Sequence, residues 1–169
     1  MKRYLRRIDR NTAGNRYDIT PLFSHFADFN ALVDDLVASL SGTEIDLVAG
    51  IDALGFILGT ALAQKLKVGI MPVRKGGKLP VESDRIAFRD YTGQTKELEI
   101  RRDVLCPGTR VLIVDEWIET GAQVTAAISL IEGCGALVAG IATINMDVNN
   151  STEPISSKYK VHAVWERTE

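Results

Sequence analysis

Apolar residues along this chain follow two different rhythms. In FNALVDDLVASLS (29–41), Leu32, Val33, Leu36, Val37 and Leu40 recur at three- and four-residue spacings with Asp34 and Asp35 opposite, which predicts an amphipathic helix. Elsewhere the apolar residues run together. IDLVAGI (45–51), VGIMPV (68–73), RVLIVDE (110–116), ALVAGIATINM (136–146) and KVHAVWE (160–166) read as strands, and continuous apolar runs mark strands buried on both faces. The stretch that Gly55-Phe56 opens, reaching about Leu66, and VTAAISLIEG (124–133), stopped by Gly133 and Gly135, predict two further helices. Such strands alternating with helices predict an α/β fold: a three-layer, doubly wound parallel sheet.

Residues 81–103 break this alternation. They are polar and weakly patterned, and so long a stretch inside a compact domain predicts a functional flap. Residues 82–96, which include Gly93, are expected to be mobile without ligand. At 169 residues the chain fits a single domain, 1–169, and shows no internal repeat.

Composition narrows the class. With 46% hydrophobic and 25% charged residues the chain is globular, and a net charge of -2 gives no general reason to expect nucleic acid or a membrane as partner. The opening MKRYLRRIDR carries Lys2, Arg3, Arg6, Arg7 and Arg10, but no apolar run follows to make a signal peptide. Short and interrupted by Asp9, this block reads as a solvated or interface segment rather than an anion-binding arm. No stretch reaches the ~18 apolar residues of a spanning helix, so a soluble, cytoplasmic protein is expected and the sequon at Asn150 stays unglycosylated. Cys106 and Cys134 lack metal-ligand spacing and are expected to be small buried side chains. His25 and His162 stand alone and read as structural.

Ligands of open parallel sheets bind outside the carboxyl ends of the strands. Three strand ends here carry polar chemistry: Asp52, the run Arg74-Lys75-Gly76-Gly77-Lys78, and the pair Asp115-Glu116. The last leads through Thr120-Gly121 into a helix start, whose exposed N–H groups and dipole suit a phosphate. Acids beside a phosphate cradle make sense if they hold hydroxyls, so a ribose 5-phosphate fits, with lysines left for a second anionic group. A scaffold with a merely acidic helix start is the alternative. The convergence of three polar ends favours a phosphorylated ligand.

The strand, two acids, two apolar residues and Thr-Gly loop resemble the signature of the type I phosphoribosyltransferase family. DITPLF (18–23), LVDDLV (32–37), AGIDALGFILGTALA (49–63), PVRKGGKLP (72–80), ELEI (97–100) and PGTRVLIVDE (107–116) are similar, in order and over nearly the whole chain, to its adenine-specific branch. The resemblance implies that Asp115 and Glu116 bind the ribose hydroxyls of phosphoribosyl pyrophosphate. It implies that Glu119, Thr120, Gly121, Ala122 and Gln123 wrap the 5-phosphate. Asp52, Ala53 and Leu54 would form the pyrophosphate loop, with Arg74, Lys75 and Lys78 as cationic partners. Asp90-Tyr91 would be the catalytic acid–tyrosine pair of the flap, and Arg16, Tyr17 and Ile118 would meet the nucleobase. Trp117 and Ile118 both follow the acids, so either could pack on a flat base. Magnesium held through ligand and water, a small N-terminal hood (1–28) and a homodimer are implied as well.

Several positions depart from the family pattern. ETGAQ stands where the family has ATGGT. Ala122 is strained if its φ must be positive, Gln123 exchanges a hydroxyl for an amide, and Glu119 brings charge toward a dianion unless it points outward. Leu54 replaces an arginine, and Asn15-Arg16 replaces an apolar–aromatic pair, which predicts a base pocket suited to a more polar base than adenine. Two functions stay open at this point. One is a purine, adenine-like phosphoribosyltransferase making a nucleoside monophosphate and pyrophosphate; the other is a non-catalytic relative binding a nucleotide or phosphoribosyl ligand for regulation.

Overall fold

A short 3-10 helix (Arg3–Arg7) and α1 (Thr20–Phe23) lead into α2 (Phe26–Ser39), β1 (Leu47–Ile51), α3 (Leu54–Leu66) and β2 (Gly69–Lys75). The chain continues through β3 (Ser83–Arg89), β4 (Thr95–Arg101), β5 (Arg110–Val114) and the two-residue β6 (Trp117–Ile118). It ends with α4 (Ala122–Gly133), β7 (Leu137–Val148), α5 (Glu153–Lys158) and β8 (Val161–Thr168). The structure is a computed structural model describing residues 2–13, 17–90 and 92–168, without the side chains of 166–168.

One eight-stranded sheet runs β3-β4-β2-β1-β5-β7-β6, with β8 also on β7. β2, β1, β5, β7 and β8 are parallel neighbours in that sequence, and β6 is parallel to β7. Strand β5 shows why its sequence is apolar without interruption from Val111 to Val114. Val111 and Ile113 join the cluster under α4, with Val124, Ala127 and Ile131. Leu112 and Val114 face the other way, toward Leu58 and Leu62 of α3 and Leu32 and Leu36 of α2. Successive side chains alternate across a sheet, so a strand covered on both sides must be apolar at every position. Helices on both faces make the expected three layers.

The polar stretch 81–103 is a built hairpin rather than a bare connection. β3 and β4 pair antiparallel from Ser83↔Arg101 to Arg89↔Thr95, and β4 joins the sheet beside β2 at Arg74↔Glu99 and Lys75↔Leu98. Leu98 and Ile100 are fully buried, and Ile86 and Phe88 pack against the same cluster.

The basic N-terminus docks through its apolar residues while its cationic side chains stay exposed to solvent. Lys2 pairs with Asp35 at 3.1 Å, and Arg3 and Arg7 reach Asp28 at 3.2 and 2.8 Å. Partly exposed pairs of this kind contribute ~0–1 kcal/mol each, whereas burying an apolar side chain contributes ~1.5–3. The buried Tyr4, Leu5 and Ile8 therefore do more to hold the segment on α2. Cys106 is exposed and Cys134 half-buried, so neither is the fully buried thiol expected. His25 caps α2 by accepting the Asp28 N–H, and buried His162 meets the Ser39 hydroxyl at 3.0 Å, both structural as expected. Among the described residues no helix is long and apolar enough to cross a membrane.

Candidate active site

Parallel pairing of β1 with both β2 and β5 sets the three polar strand ends side by side. Between them lies a cleft of about 190 Å³, lined by Asp52, Ala53, Leu54, Lys75, Asp115 and Glu116, with Tyr17, Trp117 and Gln123 closing it. The Asp52–Ala53 peptide bond is cis. The Asp52 carboxylate is 4.0 Å from Arg74 Nε and 3.9 Å from Lys75 Nζ, so the first strand end is an acid already flanked by two cations.

Asp115 follows the last residue of β5 and is only 6% exposed. Its Oδ1 accepts the N–H of Glu116 at 2.9 Å, which fixes the turn out of the strand. The Glu116 carbonyl then accepts the N–H groups of Ile144 and Asn145, carrying the chain into β6 beside β7. Asp115 faces both this cleft and a second pocket over the 119–123 loop, whereas Glu116 faces the cleft alone.

That second pocket is walled by Glu119, Thr120, Gly121, Ala122 and Gln123, with Phe88 and Asp90 arriving from the hairpin. Gly121 is the N-cap of α4 at φ 72 and has no side chain to cap with; the Thr120 hydroxyl accepts the Ala122 N–H in a long bond of 3.5 Å. So weakly capped a first turn keeps N–H groups for an anion. Ala122 is already the first helical residue, and among described non-glycine residues only Lys67 has positive φ, so the strain expected at Ala122 does not arise. The requirement falls on Gly121, where a β-carbon would also strike Ile155 Cδ1. Asn149 Nδ2 donates to the Glu119 carbonyl at 2.9 Å and braces the loop from behind.

Gln123 joins the cavities. It lines the cleft, the loop pocket and a larger space of about 600 Å³ bounded by Lys75, Gly76, Phe88, Asp90 and Lys96. Asp90 reaches the site with its carboxylate tied into the hairpin turn, accepting the Thr92 hydroxyl at 2.6 Å and the N–H groups of Thr92 and Gln94. The Thr92 hydroxyl, outweighing partial burial, holds its carboxyl below the usual range. Tyr91 and Arg16 lie outside the described residues.

Two acids beyond a central parallel strand, which can accept from hydroxyls, stand opposite a weakly capped helix start, which can donate to an anion. Residues 25–166 match the family model of the phosphoribosyl transferase domain. The chain belongs to the phosphoribosyltransferase family. Over 127 residues it is 42% identical to an adenine phosphoribosyltransferase of Roseiflexus castenholzii, spanning 75% of this chain and 73% of that protein. The adenine phosphoribosyltransferase of Thermoanaerobacter pseudethanolicus superposes with a TM-score of 0.86 at 33% identity, covering 94% of this chain and 92% of that one. The Giardia lamblia enzyme, solved with 9-deazaadenine, gives a TM-score of 0.88 at 27% identity over 98% and 97% of the two chains.

Within this phosphoribosyltransferase the expected residues are only partly assembled. Leu54, where the family has arginine, lines the cleft while packing against the apolar cluster on the α2–α3 side. Arg74 and Lys78 line none of the three cavities; Arg74 Nε is buried without a hydrogen-bond partner, and the Lys78 side chain is exposed. Ile118, at 2% exposure, borders only the loop pocket, whereas Trp117 borders both pocket and cleft. Trp117 is set edge-on to Tyr17 and to Trp165, each at 5.7 Å, and Tyr17 stacks on Trp165 at 5.9 Å. Trp165, Asn149 and the buried Glu99 do not stand out from the sequence as residues of this region. Only Trp165 carried a signal, as an aromatic residue at a strand end.

Proposed function

We propose that this phosphoribosyltransferase transfers the phosphoribosyl group of phosphoribosyl pyrophosphate to adenine or a closely similar purine, releasing pyrophosphate. The observation that carries this reading is Asp115 and Glu116 at the carboxyl end of β5, facing a cleft that opens onto the weakly capped start of α4. The adenine phosphoribosyltransferases it resembles support adenine as the base.

In this reading the first-turn N–H groups of α4 and the Thr120 hydroxyl receive the 5-phosphate. Asp115 and Glu116 accept hydrogen bonds from the ribose hydroxyls, and their charge stabilises the cationic anomeric carbon of the transition state. Lys75, lining the cleft beside Asp52, faces the pyrophosphate, with Arg74 behind it adding positive charge; the pyrophosphate departs with the electrons of the C1–O bond as the purine nitrogen forms the new C1–N bond and loses its proton. Phe88 and Asp90 close the loop pocket from the hairpin, and tightening of that wall would exclude water that otherwise captures the same carbon.

Among the described residues no group of three or more His, Cys, Asp or Glu could cage a metal. The two carboxylates of Asp115 and Glu116 nonetheless suit magnesium held mostly by water and substrate oxygens, the usual mode for this ion. When bound it would neutralise the leaving pyrophosphate. A homodimer belongs to the same reading; Phe26, 83% exposed beside a groove formed with Phe29 and Val33, supplies apolar surface for it.

A nucleobase panel with phosphoribosyl pyrophosphate and magnesium, followed by pyrophosphate release, tests the proposal. Turnover of adenine is expected. Binding of ribose 5-phosphate without turnover of any base would instead make the chain a non-catalytic module.

A further inference from the structure

Glu99 sits in β4 with no exposed surface. A buried carboxylate is costly unless donors surround it. Here the backbone N–H groups of Lys78 and Leu79 donate to its Oε1 at 2.6 and 2.8 Å. The Ser83 hydroxyl donates to Oε2 at 3.0 Å, and Arg85 Nε lies 3.0 Å from the same oxygen. Burial alone would raise this carboxyl, but the N–H groups of Leu79 and Lys78 and the Ser83 hydroxyl outweigh it and keep it below the usual range.

Successive N–H groups converging in a turn form an anion nest. In the turn after β2 the anion is the protein's own side chain, reaching across from the neighbouring strand. The turn's N–H groups at Lys78 and Leu79 are therefore occupied and cannot serve a ligand. What the turn offers a ligand is its side chains, and Lys75, at the end of β2, is the one that lines both the cleft and the hairpin cavity. The same turn leaves β2 tightly: Gly76 N–H donates to the Glu97 carbonyl at 2.9 Å, and a β-carbon on Gly76 would come within 2.7 Å of the Glu97 carboxylate.

We propose that Glu99 is the positioning residue of the pyrophosphate subsite: by filling the nest of the 76–79 turn it locks that turn onto β4 and holds Lys75 at the cleft. This rests on reading Lys75 as the pyrophosphate ligand. Glu99 touches no substrate and acts through the turn.

Two variants perturb the turn from opposite sides. Glu99→Gln keeps the shape but removes the charge that strengthens the hydrogen bonds. Gly77→Val leaves Glu99 intact and strains the turn, since Gly77 has φ +77 and open space around it. Each variant and the wild type would be titrated calorimetrically with free pyrophosphate and with ribose 5-phosphate, both with magnesium, and amide exchange at Lys78 and Leu79 would be followed. Both variants are expected to exchange faster at these amides and to lose about tenfold in pyrophosphate affinity, the scale of one hydrogen bond to a charged group, with ribose 5-phosphate binding unchanged. Faster exchange with pyrophosphate affinity intact would make Glu99 purely structural and overturn the proposal, as would equal loss for both ligands. A wild-type protein that binds ribose 5-phosphate but no pyrophosphate would refute the subsite itself, a failure visible before any variant is made.

Discussion

A β-carbon on Gly55 would stand 2.6 Å from the carbonyl oxygen of Val114. The first turn of α3 thus lies directly against the end of β5, which brings the Asp52 turn beside Asp115. Gly55→Ala must push these elements apart. Overpacking of this kind costs ~1–3 kcal/mol. Urea unfolding is expected to show that loss as a lower midpoint with unchanged slope, and catalytic efficiency should fall further than stability explains.

The acid pair should matter through charge rather than through folding. Asn at 115 can still accept the Glu116 N–H through its carbonyl oxygen, so Asp115→Asn with Glu116→Gln is expected to fold normally. Losing electrostatic stabilisation of the transition state should lower kcat/KM by ~10²–10³. Steady-state kinetics with phosphoribosyl pyrophosphate checks the rate, and calorimetry should show weaker ribose 5-phosphate binding.

Gly121 and Ala122 make a paired test of the phosphate loop. Gly121→Ala meets both a positive φ and the Ile155 side chain, so it should destabilise by ~1–3 kcal/mol and weaken ribose 5-phosphate binding. Ala122→Gly restores the family's residue, yet should leave phosphate affinity unchanged, because Ala122 has ordinary helical geometry. Thermal melts and calorimetry on the two variants separate these outcomes; tighter phosphate binding by Ala122→Gly would count against the geometry.

Acid stability offers a fourth measurement. The Arg110 guanidinium, bonded to Asp46 with N–O distances of 2.9 and 2.6 Å, lowers that carboxyl from 3.8 to about 2. The folded state therefore binds this proton less readily than the unfolded chain. Its contribution to stability is complete above the ordinary carboxylate range and is lost as pH falls from 3.8 toward about 2. Wild type and Asp46→Asn should differ in unfolding free energy at neutral pH and converge below that window.

Much of this protein is legible along the chain because burial writes itself locally. A helix with one covered face repeats its apolar residues at its own period, and Leu32, Val33, Leu36 and Leu40 do so and are buried. A strand covered on both faces must be apolar throughout, and β1, β5 beyond Arg110 and most of β7 are. The acid pair and Thr-Gly loop are equally local, since a strand end, a turn and a helix start are consecutive in sequence.

The hairpin escaped because the alternation of Ile86 with Phe88 and Leu98 with Ile100 gains meaning only when α4 covers one face. Glu99 between two apolar residues looks like the solvent side of a strand; the turn at 76–79, folding over it from another part of the chain, buries it instead. Tyr17, Trp117 and Trp165 become neighbours only where β7 places β6 and β8 on either side of it and the N-terminal segment closes over them. The backbone angle at Ala122 likewise depends on where α4 begins, and that is set by Ile155 and Asn149 packing against the loop from behind. Periodicity reports which faces are covered; the identity of the covering group is a property of three-dimensional neighbours far apart in the chain.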